Sequence, residues 1–120
     1  MFVTRLGDCR EFRAGDHTVL RELLHPSKHR VKVNYSLAHG RLEPGARSKR
    51  HRLTSVEVYY FLAGEGIFRA GDKSFPVQAG TVVCVPAGTE QWVENSGREP
   101  MEFLCLVEPA WKAEDEDVLE

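Results

Sequence analysis

The sequence lacks long hydrophobic runs and cysteine motifs. No apolar stretch in its 120 residues approaches the roughly 20 residues that a transmembrane helix needs, which excludes an integral membrane protein of that kind. Residues 1–12 have no apolar segment typical of a secretory signal, so we expect a cytoplasmic protein. The three cysteines, Cys9, Cys84 and Cys105, are far apart and form no CxxC pair. This spacing excludes a disulfide framework or a zinc finger and predicts reduced, mostly buried thiols.

The charge is weak and unevenly distributed. The 16 basic and 18 acidic residues give a net charge of −2, but five of the acids lie within residues 114–120. Without them the remaining 13 acids leave a charge of +3 (16 minus 13), too little to predict a nucleic-acid partner. The acidity predicts a flexible tail over residues 111–120, after a single domain over residues 1–110.

Short strands dominate the hydrophobic pattern, and helical periodicity is scarce. Brief apolar or alternating runs recur about every ten residues, each bounded by glycine, proline or a polar turn, as in all-β sandwiches and barrels. The predicted strands cover residues 18–24, 31–39, 56–63, 67–70, 73–77, 81–85, 90–95 and 101–107. The sequence therefore predicts one all-β domain.

Two motifs carry a family resemblance. The first contains Gly45, His51, Glu57 and Gly64 at fixed spacing. The second spans residues 80–95, and 15 residues separate it from the first. Together they resemble the two signature motifs of the cupin superfamily, G(X)5HXH(X)3–4E(X)6G and G(X)5PXG(X)2H(X)3N. The resemblance implies a cupin-type jelly-roll (double-stranded β-helix) barrel, with the compact spacing of small single-domain cupins.

The resemblance also implies a metal site, with two departures. In the family, two histidines and a glutamate of the first motif and a histidine of the second hold the metal; these positions fall on His51, Leu53, Glu57 and Gln91. Leucine cannot ligate, and a glutamine offers only its amide oxygen. The expectation is one divalent transition-metal ion per chain, held weakly by His51 and Glu57 with Gln91 as an optional donor. His39 would complete the shell if it points inward.

The alternation of side chains along strands supports the same site independently. Residues two apart share a face, so Glu57 and Tyr59 point the same way, and a barrel can aim residues of several strands at one interior point. We predict His51, Glu57 and Tyr59 as catalytic residues, since histidine is suited to proton transfer near neutral pH.

Three functions remain open. One is a metal-dependent enzyme, isomerase or oxygenase-like, acting on a small polar molecule. The second is a non-catalytic barrel that binds a small, sugar-like ligand. The third is a metal-independent isomerase or epimerase with His51 as base and Tyr59 as acid.

A homodimer is the expected assembly, because small single-domain cupins are commonly dimers. The segment from Val3 to Arg13 is the predicted contact, adding an edge strand to a partner and covering an open sheet edge. We expect the protein to bind a small molecule, and we expect it to bind neither nucleic acid nor a membrane.

Overall fold

The structure, a computed structural model, describes all 120 residues and consists of strands joined by turns. Two short 3-10 helices, Leu6–Asp8 and Ala113–Asp115, are its only helices, and neither has the length or the apolar character to cross a membrane. The strands are β1 (Glu11–Arg13), β2 (Val19–Leu24), β3 (Ser36–Leu42), β4 (His51–Leu53), β5 (Val56–Ala63), β6 (Glu65–Ala70), β7 (Lys73–Gln78), β8 (Val82–Val85), β9 (Gln91–Asn95), β10 (Met101–Glu108) and β11 (Glu116–Val118).

The strands form two antiparallel sheets. One has six strands in the order β1-β2-β3-β10-β5-β8, and the other has five in the order β11-β4-β9-β6-β7. Most neighbours within a sheet are not consecutive in the chain, so the chain crosses repeatedly between the two sheets, as it does in a jelly roll. The prediction of an all-β jelly-roll barrel is confirmed.

Alternation along the strands separates the interior of the barrel from its outer surface. On β10 the buried positions are Met101, Phe103, Cys105 and Val107, and the residues between them are more exposed. The strand β5 alternates in the same way. Successive side chains of a strand point to opposite faces, so one face of each strand builds the core.

Aromatic rings fill one half of the interior. The centroids of Phe61 and Phe103 lie 5.4 Å apart, and Phe68 meets the ring of Tyr59 edge-on at 4.9 Å. Met101 packs in the same cluster and is fully buried. These separations are those at which aromatic pairs attract one another beyond their burial.

The strand predicted over residues 31–39 is displaced in the structure. It begins at Ser36 and continues through Gly40 to Leu42. The backbone of residues 31–35 bonds outside the ladder: the Val31 N–H donates to His29 O, and Asn34 O accepts from Ala110. Gly40 lies within the strand because the Phe103 ring packs against its backbone, where a Cβ atom would overlap the ring. The alternation that predicted a strand from residue 31 was therefore misleading.

The acidic end of the chain lies against the barrel. Residues 116–118 form β11, which pairs with β4 so that Glu116 lies opposite Leu53 and Val118 opposite His51. Beyond it, the Glu120 carboxylate accepts from the Arg47 guanidinium and the Arg50 backbone N–H, and these contacts lower its pKa to about 2. The sequence predicted neither β4 nor β11. The flexibility expected of residues 111–120 in solution stays a prediction.

Candidate functional site

A cavity of about 380 Å³ occupies the other half of the barrel. Its wall follows the inward face of β10 from Phe103 to Val107 and that of β5 at Glu57 and Tyr59, but it stops before Phe61 and Met101. The same strands therefore enclose a packed aromatic core at one end and a hollow at the other.

His51 is fully buried in the cavity wall and has a fixed orientation. Its Nδ1 lies 2.7 Å from the backbone oxygen of Lys49. A carbonyl can only accept, so Nδ1 carries the proton and donates. In the neutral ring Nε2 is then the free nitrogen, and its nearest charged neighbour is Asp16 Oδ2 at 3.5 Å. This arrangement leaves Nε2 able to accept a proton.

Glu57 lies in the same cavity wall, with 7% of its surface exposed. Burial raises the pKa of this carboxyl to about 7, because the charged form loses its hydration. The nearby carboxylates of Asp16 and Glu116 raise the pKa further, whereas His51 and the hydrogen bond from Tyr59 lower it. At neutral pH this carboxyl is thus close to half-protonated and can either give or take a proton.

Tyr59 links the cavity to the core. Its hydroxyl lies 2.6 Å from Gln91 Oε1 and 3.1 Å from Glu57 Oε1, and its single proton can be donated to only one of them at a time. Burial holds the pKa of Tyr59 well above its usual value, so the hydroxyl stays protonated and acts as a donor. Gln91 is only 1% exposed and does not line the cavity. The structure thus brings His51, Glu57 and Tyr59 to the cavity and leaves Gln91 behind Tyr59.

Three further acidic side chains line the cavity, and sequence reasoning missed them: Asp16, Glu116 and Glu22, the last of which pairs with Lys28. Asp16 comes from the turn between β1 and β2 and is held by hydrogen bonds from Thr18 N to its Oδ1, at 3.0 Å, and from Lys49 N to its backbone oxygen, at 2.6 Å. Glu116 comes from β11, opposite Leu53. Asp16 and Glu116 lie outside the two motifs, and their surroundings in the sequence look like an ordinary turn and an acidic tail. No local signal distinguishes them.

Of the other candidate residues, one lies in the cavity wall and two lie outside it. His39 is turned away from the cavity and pairs with Glu102 on the outside of the sheet, Nε2 to Oε1 at 3.0 Å, so it does not complete a metal shell with His51. Cys105 lines the cavity, and burial raises the pKa of its thiol well above the usual value. Cys84 is exposed, so the prediction of buried thiols was wrong for it.

The donor set does not fit the metal shell that the family pattern implies. Leu53 is buried and apolar at one ligand position, and at another the side-chain oxygen of Gln91 accepts from Tyr59. No group of three or more His, Cys, Asp or Glu side chains is placed to hold a metal ion. At the family's ligand positions only one imidazole and one carboxylate remain, which are a weak set for a transition metal.

About half of the residues that line the cavity are hydrophobic, including Leu53, Val93, Phe103 and Val107, and the others include the bases Arg10, Arg13 and Lys28. A few convergent polar groups in an apolar hollow are typical of small-molecule sites.

Comparison with known proteins agrees with this architecture. The family model described as the cupin domain matches residues 38–107, more than half of the chain, so this chain belongs to the cupin family. An uncharacterized protein of Methanocaldococcus jannaschii, MJ1618, is 35% identical over 106 residues, which cover 88% of this chain and 84% of that protein.

Two proteins of Thermotoga maritima are also similar. An oxalate-binding protein is 33% identical over 92 residues, covering 76% of this chain and 71% of that protein. The crystal structure of a predicted oxalate decarboxylase superposes with a TM-score of 0.78 at 26% identity, covering 90% of this chain and 99% of that one. The family membership and the small-domain architecture expected from the two motifs are confirmed.

Proposed function

We propose that this cupin binds a small, partly apolar molecule with hydroxyl or carbonyl groups in its interior cavity and exchanges protons with it through His51 and Glu57. The observation that carries the proposal is the placement of these two buried side chains in one cavity wall, with the pKa of Glu57 raised to about 7. A carboxyl that titrates near the working pH, beside an imidazole with a free ring nitrogen, is suited to proton-transfer catalysis. The similarity to an oxalate-binding protein supports a small-molecule ligand.

The geometry favours a division of roles within this site. His51 accepts a proton at Nε2, because Nδ1 is committed to the Lys49 carbonyl. Glu57 is a better proton donor than Tyr59, since the pKa of Tyr59 lies far above neutrality. We therefore assign Tyr59 to positioning Glu57 by its hydrogen bond. This differs from the hypothesis that paired His51 with Tyr59 as the acid, and it favours a metal-independent isomerase or epimerase.

The carboxylates around the cavity also limit the charge of the ligand. Asp16, Glu22 and Glu116 add to Glu57, and among the buried and half-buried groups of the wall only His51 can oppose them with a positive charge. The bases Arg10, Arg13 and Lys28 also line the cavity, but they are exposed. A dianion such as oxalate would meet like charge in a poorly hydrated space, which is costly. We infer that the ligand is uncharged or carries a positive group, and that oxalate would bind only together with a cation.

The metal centre remains a competing hypothesis. It predicts one divalent transition-metal ion per chain, held by His51 and Glu57 with Gln91, and it requires Gln91 to give up the hydrogen bond from Tyr59 and turn toward the cavity. The hydrogen bond from His51 to the Lys49 carbonyl supports it, because metal-binding histidines use such a bond to orient the ligating nitrogen. Elemental analysis of the protein, beside His51→Ala and Glu57→Ala, tests it directly: stoichiometric metal lost in both variants would favour a metal centre over metal-free chemistry.

A screen in chelator-treated protein tests the proposed function. The panel contains sugars, hydroxy-ketones, amino sugars and oxalate; binding is read from the shift in melting temperature, and proton exchange from deuterium uptake into the ligand by NMR. We expect an uncharged or cationic compound to bind and to take up deuterium, and His51→Ala and Glu57→Gln to abolish the uptake. His39→Ala is the matched control, a buried histidine outside the cavity, and should change neither readout. Binding and uptake that survive in both site variants would contradict the proposal.

The homodimer built on the segment from Val3 to Arg13 also stays a prediction. Within this segment only Glu11–Arg13 is a strand, and it pairs with β2 of its own chain at the edge of the six-stranded sheet. Light scattering that shows a monomer at micromolar concentration would contradict a dimer.

A further inference from the structure

The acidic side chains of the cavity wall are not equally balanced by cations. Glu22 has its own partner, because the Lys28 Nζ lies 2.7 Å from its Oε1. Three other carboxylates line the cavity with no basic partner besides His51, namely Asp16, Glu57 and Glu116. A protonated His51 would supply one positive charge for these three groups. The wall therefore keeps an excess of negative charge that an occupant of the cavity can meet.

Two acceptor atoms in this wall face each other with no donor between them. His51 is 2% exposed, and its Nε2 lies 3.5 Å from Asp16 Oδ2. In the neutral ring Nε2 can only accept, because Nδ1 holds the proton and donates to the backbone oxygen of Lys49. A carboxylate can only accept as well. An N–H group of an occupant can lie about 2.9 Å from both atoms and would satisfy both at once.

The carboxylate of Glu116 comes to the same part of the cavity from the last strand. Val118 lies opposite His51 in the pairing of β11 with β4, so Glu116, two residues earlier, is the diagonal neighbour of His51, within reach of a long side chain. The turn that carries Asp16 also packs on β11, since a Cβ atom on Gly15 would lie 3.7 Å from Val118 Cγ2. Burial raises the pKa of Glu116, and the charge of Asp16 raises it further, as expected of two carboxylates held close together.

A primary ammonium group is the donor that suits this arrangement. It has three N–H donors and one positive charge, and the wall offers three acceptors in His51 Nε2 and the carboxylates of Asp16 and Glu116. A hydroxyl would bring a single donor and no charge, so it would leave the negative excess in place. A metal ion needs several ligands that converge at about 2.0–2.6 Å, and no three such side chains are placed to do so.

The exposed bases of the cavity wall limit the ligand to one positive charge. Arg10, Arg13 and Lys28 line the cavity and are exposed. Arg10 forms no ion pair, and the Arg13 guanidinium donates to the backbone oxygen of His17 instead of to an acid. A second ammonium group elsewhere on the ligand would meet these like charges, whereas an uncharged or anionic end would not. The hydrophobic half of the wall suits an apolar body between the two ends.

We propose that the cavity binds a primary monoamine, with the ammonium group held by Asp16 and Glu116 beside His51. The inference rests on the proposed function only in taking the cavity as a small-molecule site, and it does not depend on proton exchange by His51 and Glu57. It gives a binding role to two carboxylates that lie outside the sequence motifs. It also narrows the ligand from an uncharged or cationic molecule to an amine with a single positive charge.

Calorimetric titration of chelator-treated protein in an amine-free buffer at neutral pH tests the inference with three matched probes. Hexylamine, hexanol and hexamethylenediamine share one carbon chain and differ in the number of ammonium groups. We expect hexylamine to bind with a dissociation constant of about 1 mM or lower, and the other two to bind at least about tenfold more weakly. Hexanol or the diamine binding as tightly as hexylamine would overturn the proposal. So would hexylamine that fails to bind with a dissociation constant below about 10 mM.

Substitutions of single carboxylates locate the ammonium site. Asp16→Asn keeps the Oδ1 atom that accepts from Thr18 N, and Glu116→Gln keeps the size of the side chain. Each should weaken hexylamine binding about tenfold or more and leave hexanol binding unchanged, because each removes one negative charge. Glu22→Gln is the matched control, at a cavity carboxylate that has its own lysine, and should change neither. Melting temperatures show that the variants are folded, and hexylamine affinity that survives in both site variants would overturn the proposal.

The same experiments separate this inference from the proposed function. An amine that binds through Asp16 and Glu116 but takes up no deuterium supports the ammonium site and contradicts proton exchange. A neutral compound that binds and takes up deuterium, while no amine binds, supports proton exchange and overturns the ammonium site. A zinc titration completes the set: zinc that binds through Asp16 and Glu116, while hexylamine does not, would overturn the proposal in favour of a metal centre.

Discussion

The two halves of the barrel interior are built from the same strands but have opposite roles. On β5, Phe61 lies in the packed half and Glu57 in the hollow half, with Tyr59 between them. On β10, Met101 and Val107 occupy the corresponding places. The packed half contributes stability through close contact of rings, whereas the hollow half holds the buried polar side chains of His51 and Glu57 against an open space. A protein interior tolerates such groups chiefly where a ligand is to meet them.

The largest expected loss of stability comes from removing a buried ring from the packed half. Phe68 is completely buried among aromatic rings, so Phe68→Ala should lower the free energy of unfolding by about 3–5 kcal/mol. Urea denaturation followed by circular dichroism measures it. Phe12→Ala, at a half-exposed ring in the cavity wall, is the control and should cost much less. Equal losses would mean that the two halves do not differ as described.

A pH series on Glu57→Gln tests the hollow half. The carboxyl of Glu57 ionises near pH 4.5 in the unfolded chain and near 7 in the folded protein, so the folded state binds the extra proton. The wild type should therefore lose free energy of unfolding as the pH rises from about 4.5 to about 7, by up to about 3 kcal/mol. Glu57→Gln cannot titrate and should lack this part of the loss, while Glu108→Gln, an exposed control, should keep it. A Glu57→Gln profile that parallels the wild type would show that this group is not perturbed.

Tyr59 lies at the boundary between the two halves, and Tyr59→Phe should have a smaller effect on stability. It keeps the ring and removes the hydroxyl, which leaves Gln91 Oε1 buried without its hydrogen-bond donor. We expect a loss of about 1–2 kcal/mol in the free energy of unfolding. Tyr60→Phe, at the exposed neighbouring tyrosine, should change it little. If the two variants behave alike in urea denaturation, the Tyr59 hydroxyl does not stabilise the fold.

The smallest expected effect on stability belongs to the end of the chain, on the surface of the barrel. Glu120→Gln removes the negative charge and replaces one of the two carboxylate oxygens that accept from the Arg47 guanidinium and the Arg50 backbone N–H with an NH2 group. The lowered pKa of Glu120 means that this contribution is present above about pH 4.5 and is lost as the pH falls to about 2. The melting temperature at neutral pH should drop only slightly, and less at high salt, because the group is exposed. A drop as large as that of Phe68→Ala would contradict this ranking.

The sequence predicted the fold well, since alternation and turn residues fix most strands locally. The strand β5 is found within the predicted limits of 56–63, because its dense β-branched and aromatic residues leave no other local choice. β4 and β11 were missed, because each has three residues and depends on pairing with a distant part of the chain. Pairing with a distant strand leaves no recognisable pattern in the few residues of the strand itself.

The site was only partly predictable for the same reason. The motif spacing and strand alternation brought His51, Glu57 and Tyr59 to one cavity, as expected from residues that share a face. The position of Gln91 behind Tyr59 depends on which hydrogen bonds the packed core allows. The carboxylates of Asp16 and Glu116 reach the cavity through tertiary contacts that no motif records.

Amide exchange at the short strand β11 is sensitive to whether the cavity is occupied. This three-residue strand carries Glu116 into the cavity wall and pairs with only one neighbour, β4. Strands at sheet edges with few contacts open at lower free energy than the core, so the backbone amides of residues 116–118 should exchange with deuterium far faster than those of β10. A molecule bound in the cavity against Glu116 would slow that exchange. Amide exchange at the last strand thus reports occupancy of a site whose ligand need not be known in advance.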